Sequence, residues 1–162
     1  MSQNIDILFS YLVRAIHASR EADNSYSCTC YTCKKKSPLK GMNVGHYIQR
    51  NYLSHKYDMR NVRPQCIKCN FYNEGMLGPF RVNLVAEYGE GVIREMEESK
   101  STKTPPNLSD IENNIKEEIN KVIHRKGRDL MEALIHPSYY YVIKNRDKLT
   151  ANGTTIQPPI DQ

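Results

Sequence analysis

Two short cysteine pairs, Cys30-Tyr31-Thr32-Cys33 and Cys66-Ile67-Lys68-Cys69, stand 32 residues apart in the chain. Nothing else in the sequence restricts the fold as strongly. Each Cys-x-x-Cys turn offers two thiolates on one side, and two such turns brought together complete a tetrahedral site for one zinc ion. The competing reading is four free buried thiols. With sulfur in all four positions no coordination site stays open, so this zinc is structural rather than catalytic. It adds folding free energy to a stretch that is otherwise mostly loop. A fifth cysteine, Cys28, is left over. It can replace Cys30 as a ligand, but the two-residue spacing from Cys30 to Cys33 is the commoner knuckle and is preferred.

The surroundings fit that picture. No apolar run reaches the length of a membrane span, and the first residues lack the basic, apolar and small-residue order of a signal peptide. Close cysteine pairs are then expected in a reducing cytoplasm, where they hold metal more often than they form disulfides. Charge is uneven. From Cys28 to Arg81 there are ten Lys/Arg against two acids, Asp58 and Glu74, a balance of +8, whereas the rest of the chain has 13 basic and 16 acidic residues, or −3. A basic, cysteine-rich centre between mildly acidic flanks predicts a polyanionic partner, because phosphate neutralisation drives non-specific nucleic-acid binding. The alternative is a merely solvated basic face.

Around the centre the pattern is helical. Ile5, Leu8, Phe9, Leu12, Val13 and Ile16 form one apolar face and predict a helix over 4–20, with His17 on its surface, ending before the turn formers Asp23-Asn24-Ser25. Lys34-Lys35-Lys36 reads equally as a solvated loop or as a phosphate contact. Met42 to Ile48 predicts a short strand, and Gln49 to Tyr57 a loop or hairpin over a ligand. A short helix is expected to open within or just after 66–70. Further helical segments follow to Tyr88 and over 90–100, and Pro105-Pro106 marks a linker at 101–107. Ser109-Asp110-Ile111-Glu112 has the form of a capping box with Ser109 as N-cap. The stripe Ile111, Ile115, Ile119 and Val122/Ile123 continues as a helix face that breaks at Gly127, and another short helix is predicted over 128–135. The division is therefore a zinc-bearing domain at 1–100, a linker at 101–107, a helical region at 108–149 and a disordered tail at 150–162.

The chemistry lies between the cysteine pairs. Phosphodiester hydrolysis needs an activated water, a cation on the developing charge and help for the leaving oxygen. His46 is a suitable base near neutral pH, on a short strand beside Gly45, a residue small enough to admit substrate. Asn61 precedes Cys66 by five residues and Asn70 directly follows Cys69, so the zinc fixes both relative to His46. The Asn70 carbonyl can supply an oxygen ligand to hard Mg²⁺, with Mn²⁺ as a substitute, and the Asn61 amide can pin the loop beneath the base. Arg50 and Arg60 are the first candidates to touch phosphate, with Arg63, Lys68 and Arg81 as further DNA contacts.

These residues resemble the HNH, or ββα-metal, endonucleases. His46 matches the first His of that motif, Asn61 in the frame Asn-x4-Cys-x2-Cys matches its middle Asn, and Asn70 stands where the last His falls, as in variants ending in Asn. The likeness is closer to the phage NinG (Rap) recombination nucleases, carried by Cys30–Cys33, Val44–Tyr47, Arg60–Asn70 and Gly75–Arg81 and extending over about 28–98. Phage endonuclease VII is similar too, with paired knuckles and an Asn after the fourth Cys. The resemblance implies an α+β fold, mostly helical, with a zinc-stapled ββα-metal centre. It also implies a metal-dependent endonuclease for branched or double-stranded DNA, Holliday junctions included, acting in phage recombination in the host cytoplasm. Two positions depart from the relatives. Gly45 stands where many have an Asp metal ligand, and Asn43 where an Asp often falls, which leaves Asn70 as the main side-chain ligand and metal binding weak without DNA. Whether Asn43 or Glu74 assists the metal stays open. The alternatives to a junction enzyme are a nicking nuclease without junction preference and a non-catalytic zinc module that binds DNA. A junction has two strands to cut, so a homodimer is expected, through the Ile111–Ile123 stripe or the Ile5–Ile16 face, with ordinary core as the alternative reading of either stripe.

Overall fold

The computed structural model describes residues 2–102 and 104–134, and the side chains of all of these except 2–4 and 132. Helix α1, Ser2–Ile16, buries Ile5, Leu8, Phe9, Leu12 and Val13, as its periodicity requires. It stops four residues short of the predicted end. The reason is tertiary: the Lys126 ammonium reaches the last turn and donates to the carbonyls of Ala15, Ile16 and Ala18 at 3.0, 2.7 and 2.8 Å. Carbonyls at a helix end lack intrahelical partners, and a cation there satisfies them. The chain then runs straight into β1, Ser19–Arg20, which pairs antiparallel with β2, Tyr26–Thr29. Between them the Asp23 carboxylate accepts from the Ser25 amide and hydroxyl, and Asn24 takes a left-handed φ of 66°. Strand β3, Lys36–Pro38, completes this small sheet on β2.

A second sheet holds the centre. Strands β4, Met42–His46, and β5, Val62–Cys66, run antiparallel, with Met42 opposite Cys66 and His46 opposite Val62. Between them lies α2, a single turn at Leu53–Lys56, where a loop or hairpin is predicted. After β5 the expected short helix is a five-residue π-helical turn, Lys68–Tyr72. Helices α3, Leu77–Tyr88, and α4, Glu90–Ser99, pack on Ile48 through Phe80, Leu84, Ile93 and Met96 and form a small core of their own.

Past the linker, α5 spans Leu108–Lys126 and α6 Arg128–Leu134. The cap of α5 is Asn107, whose side chain accepts from the Ser109 amide at 2.8 Å, so the helix starts two residues before the predicted box. Ile111, Ile115, Ile119 and Val122 are buried in one core with Leu8, Phe9, Leu12 and Val13 of α1. This corrects the dimer surfaces expected from the sequence, because the two apolar stripes cover each other within one chain. It also joins the segment after the linker to the core of the N-terminal helix. Residue 135 of the short helix, the rest of the expected helical region to 149 and the tail at 150–162 lie outside the described residues. The architecture is mixed α+β and mostly helical. Among the described residues no helix is long and apolar enough to cross a membrane.

Candidate functional site

The sulfur cluster forms where β2, β5 and their following turns meet. The turn after Cys30 closes through Cys30 N–H to Lys35 O at 2.8 Å and Lys34 N–H to Cys30 O at 2.9 Å, and the Tyr31 amide donates to the Pro64 carbonyl at 2.9 Å. That last bond draws the first cysteine turn against β5. The Sγ atoms of Cys30, Cys33, Cys66 and Cys69 all lie within 4.8 Å of one another. Zinc–sulfur bonds of about 2.3 Å at tetrahedral angles separate sulfurs by about 3.8 Å, and Cys33 and Cys66 stand 3.8 Å apart. The four cysteines can hold a zinc ion. Cys28 is not among them: it is buried and donates to the Arg14 carbonyl at 3.4 Å, and burial pushes its thiol up to about 11.

His46 ends β4, at the opposite end of the strand pair from Cys66. Its Nε2 lies 3.0 Å from the Lys56 carbonyl. A carbonyl only accepts, so Nε2 donates to it in the neutral tautomer that leaves Nδ1 as the acceptor. Burial lowers the imidazole pKa, against opposing pulls from the Lys56 and Val44 carbonyls, and the ring is neutral at pH 7. The side chain of Asn61 is fully buried. It accepts from the Ile48 amide at 2.6 Å and donates to the carbonyls of Ile48 and His55 at 2.9 and 3.0 Å, while its own carbonyl accepts from Tyr47 N–H at 2.9 Å. Four bonds thus brace the two residues after His46 and the turn beneath it. Asn70 sits in the π-helical turn next to Cys69, half-buried.

His46 and Asn70 come together on two adjoining cavities. One, of about 400 Å³, is lined on α1 by Asp6, Ser10 and Arg14 and beyond it by Lys40, Asn43 and Lys56. The other, about 350 Å³, runs past Gln49 and Asn51 to Glu74 and Gly75. Val44, His46, Arg50 and Asn70 line both, so the two form one groove with the imidazole at its middle. The α1 wall has no counterpart in the sequence pattern. Asp6 lies there with its carboxylate bound by Lys56 Nζ at 2.8 Å, Tyr57 Oη at 2.6 Å and Arg50 at 3.3 Å, and these partners hold it below the usual carboxylate range despite the opposing effect of burial. The basic 49–57 segment, read as passing over a ligand, was the one available signal for Lys56.

Other expected contacts fall elsewhere. Arg63 is 2% exposed, lies between the rings of Tyr31 and Tyr88, and pairs with Glu87, so it ties β5 to α3 and cannot meet DNA. Arg81 is bound by Glu90 at 2.6 Å and Glu97 at 2.8 Å and stands outside the groove. Arg60 grips Asp58 with two nitrogens and stands outside the groove. Lys68 is exposed beside the sulfur cluster, and Arg50 is the one expected arginine in the groove. Lys34 and Lys36 bond to the Tyr31 carbonyl and to Glu21. The surface position expected for His17 is also corrected: it is half-buried, and burial, with Arg63 and Lys126 nearby, pushes its pKa down to about 4.

Gly45 is not open to substrate. A Cβ built there would lie 2.0 Å from Gln65 Oε1, 2.5 Å from its Cδ and 2.8 Å from its Cγ. Gln65 crosses this glycine to donate to the Gly75 carbonyl at 2.8 Å and the Thr32 hydroxyl at 3.3 Å. The missing Cβ makes room for a side chain of the protein itself.

Residues 11–130 match the family described as Bacteriophage Lambda NinG protein. The chain belongs to the NinG family. Its relatives include the protein ninG of Escherichia phage 933W, 31% identical over 80 residues, 48% of this chain and 38% of that protein. The protein ninG of Escherichia phage lambda is 30% identical over 80 residues, 48% of this chain and 37% of the relative. That of Enterobacteria phage H19B is 38% identical over 42 residues, 26% and 21% of the two chains. The match thus spans well under half the length of these NinG proteins. No solved structure matches the chain.

Proposed function

We propose that this NinG-family chain is a metal-dependent endonuclease that hydrolyses phosphodiester bonds in branched DNA, four-way junctions included, with an HNH-type ββα centre. The observation that carries the reading is the shared groove: a neutral, carbonyl-anchored His46 and an oxygen-bearing Asn70 line it, with cationic Arg14, Lys40, Arg50 and Lys56 around them. His46 takes the proton of the attacking water at Nδ1. Asn61 keeps the backbone after the base in place through its buried bonds. The cations attract and seat the phosphates on either side.

The donors around Asn70 fit a hard divalent ion. Asn43 and Glu74 add oxygens, and no thiol lines the groove. Asn70, with Glu74 or Asn43, would hold Mg²⁺ or Mn²⁺. Bound there, such an ion supplies Lewis-acid polarisation of the phosphoryl oxygen and charge for the leaving oxygen. Paired cuts across a junction call for two centres and so for two chains. Since α1 and α5 cover each other, a homodimer would use another surface, and light scattering with and without a junction tests for it.

The experiment is cleavage of a labelled four-way junction beside a linear duplex of equal length, in Mg²⁺ and in EDTA. Mg²⁺-dependent cutting of the junction in preference to the duplex supports the reading. Equal nicking of both makes the chain an HNH nuclease without junction preference. Retarded but intact DNA makes it a zinc-containing binding module.

A further inference from the structure

Of the three phenylalanines in the chain, Phe9 and Phe80 are buried, at 4% and 0% exposure, while Phe71 is 73% exposed and its neighbour Tyr72 is 72% exposed. The two rings touch each other edge-to-face, with centroids 5.3 Å apart and planes at 87°. They occupy the π-helical turn one and two residues after Asn70. This turn is firmly held. Asn73 N–H donates to Lys68 O and Gly75 N–H to Cys69 O, both at 2.9 Å. Cys69 is anchored in the sulfur cluster at one end, and Met76 packs on the main core at the other. Glu74, Gly75 and Met76 all take positive φ, of 49°, 80° and 48°, which turns the chain sharply after the rings. A rigid turn that displays two aromatic rings beside the groove has little backbone entropy left to lose on binding.

We propose that Phe71 and Tyr72 are a stacking platform for nucleobases exposed at a DNA branch point, and that they set the preference for branched over linear DNA. This rests on the endonuclease reading above and deepens it. Inside a duplex each base already has neighbours on both faces. At a branch point the arms can part without breaking a base pair, their terminal pairs then present free faces, and an aromatic ring stacks on any base without reading sequence. The charge nearby suits the same partner: exposed Lys68 opens this turn, and Arg50 lines the same groove as Asn70. A second copy of the chain is the poorer occupant. Two rings bury about 150–250 Å² each, well short of the roughly 800 Å² per partner of a stable protein interface.

The test uses the full chain in Ca²⁺ without Mg²⁺, so that DNA is bound and left uncut. A four-way junction carries 2-aminopurine at the branch, beside a linear duplex with the same base internally. Wild type, Phe71→Ala, Tyr72→Ala, the double variant and Phe71→Trp are compared, with zinc per chain as the check on folding. Binding of wild type is expected to change 2-aminopurine fluorescence in the junction and not in the duplex. Each alanine should weaken junction binding about 10-fold and leave duplex binding within about twofold, while Phe71→Trp keeps the preference. Equal loss on both DNAs, no loss on either, or a silent fluorophore with wild type overturns the platform while the endonuclease reading stands. Self-association of wild type that the double variant abolishes gives the rings to a second copy and also overturns it. A chain that binds neither DNA removes the reading beneath it.

Discussion

Replacing Gly45 with alanine puts one methyl group where three atoms of Gln65 already lie, at 2.0, 2.5 and 2.8 Å. Two of these are the amide oxygen and its carbon, so the whole amide must leave. Its departure breaks the bond to the Gly75 carbonyl at 2.8 Å and the weaker one to Thr32 at 3.3 Å. Both groups belong to turns that carry zinc ligands or follow them. Overpacking costs about 1–3 kcal/mol, and the half-buried Gly75 carbonyl left without its donor costs about 1–2 kcal/mol more. Gly45→Ala is thus expected to destabilise the chain by about 2–5 kcal/mol. Gly45→Asp should cost at least as much, since a carboxylate is then forced into the same space. The partner variant Gln65→Ala removes the three obstructing atoms, so Gly45→Ala/Gln65→Ala should cost less than the sum of the single changes by at least about 1 kcal/mol. Urea unfolding followed by circular dichroism, at a fixed free zinc concentration, measures all four corners of the cycle. A Gly45→Ala chain within about 0.5 kcal/mol of wild type, or strictly additive variants, would refute the argument.

The other expectations rest on single groups. Cys69→Ser should abolish stoichiometric zinc and lose the circular dichroism of the centre, whereas Cys28→Ser should keep full zinc; metal analysis of the two purified chains decides whether Cys28 is a ligand. His46→Ala should leave zinc content and DNA affinity near normal and slow Mg²⁺-dependent cleavage by about 10² or more, and an active variant at neutral pH removes His46 from the mechanism. His17 is neutral when folded down to about 4, against an ordinary 6.5, so between these values the unfolded chain binds more protons. Stability that His17 permits is fully present above pH 6.5 and is lost as pH falls toward 4. His17→Gln should flatten the fall in unfolding free energy over this window relative to wild type, and parallel curves would contradict the assignment.

What the sequence disclosed were features whose signal is local. The spacing of Cys30, Cys33, Cys66 and Cys69 requires only that two turns meet, and they do, without Cys28. The period of α1 and of α5 shows directly in Ile5 to Ile16 and Ile111 to Val122, but no single stripe says what covers it, so two faces that pack on each other read as core or as contacts with a second copy alike. Helix ends set by distant groups were equally hidden: Lys126 stops α1 from 110 residues away. Arginines are the hardest case. Arg50 and Arg63 are indistinguishable as letters in a basic stretch, yet one lines the groove and the other is enclosed by Tyr31, Tyr88 and Glu87. The α1 wall has the same origin, since Asp6 meets Lys56 and Tyr57 only after the helix packs on the centre.

Gly45 and Asp6 together bear on how a metal would be retained at the proposed centre. The space for a carboxylate next to His46 is filled by Gln65, and the bonds of Gln65 link β5 to both neighbouring turns. The nearest acid on the α1 side, Asp6, already has Lys56, Tyr57 and Arg50 as partners. That leaves neutral amides and Glu74, which lines only one of the two cavities. A divalent ion held by so little protein charge needs anionic oxygens from elsewhere, and phosphate is the one the groove's cations would bring. On the proposed reading, ion and DNA therefore bind with mutual dependence: free Mg²⁺ binds weakly, and binding tightens when a strand lies along Arg14, Lys40 and Arg50. The reciprocity of linked binding makes the same coupling visible from the other side, as a gain in DNA affinity on adding metal. An enzyme built this way carries little metal, and little capacity to cut, until its substrate is already in place.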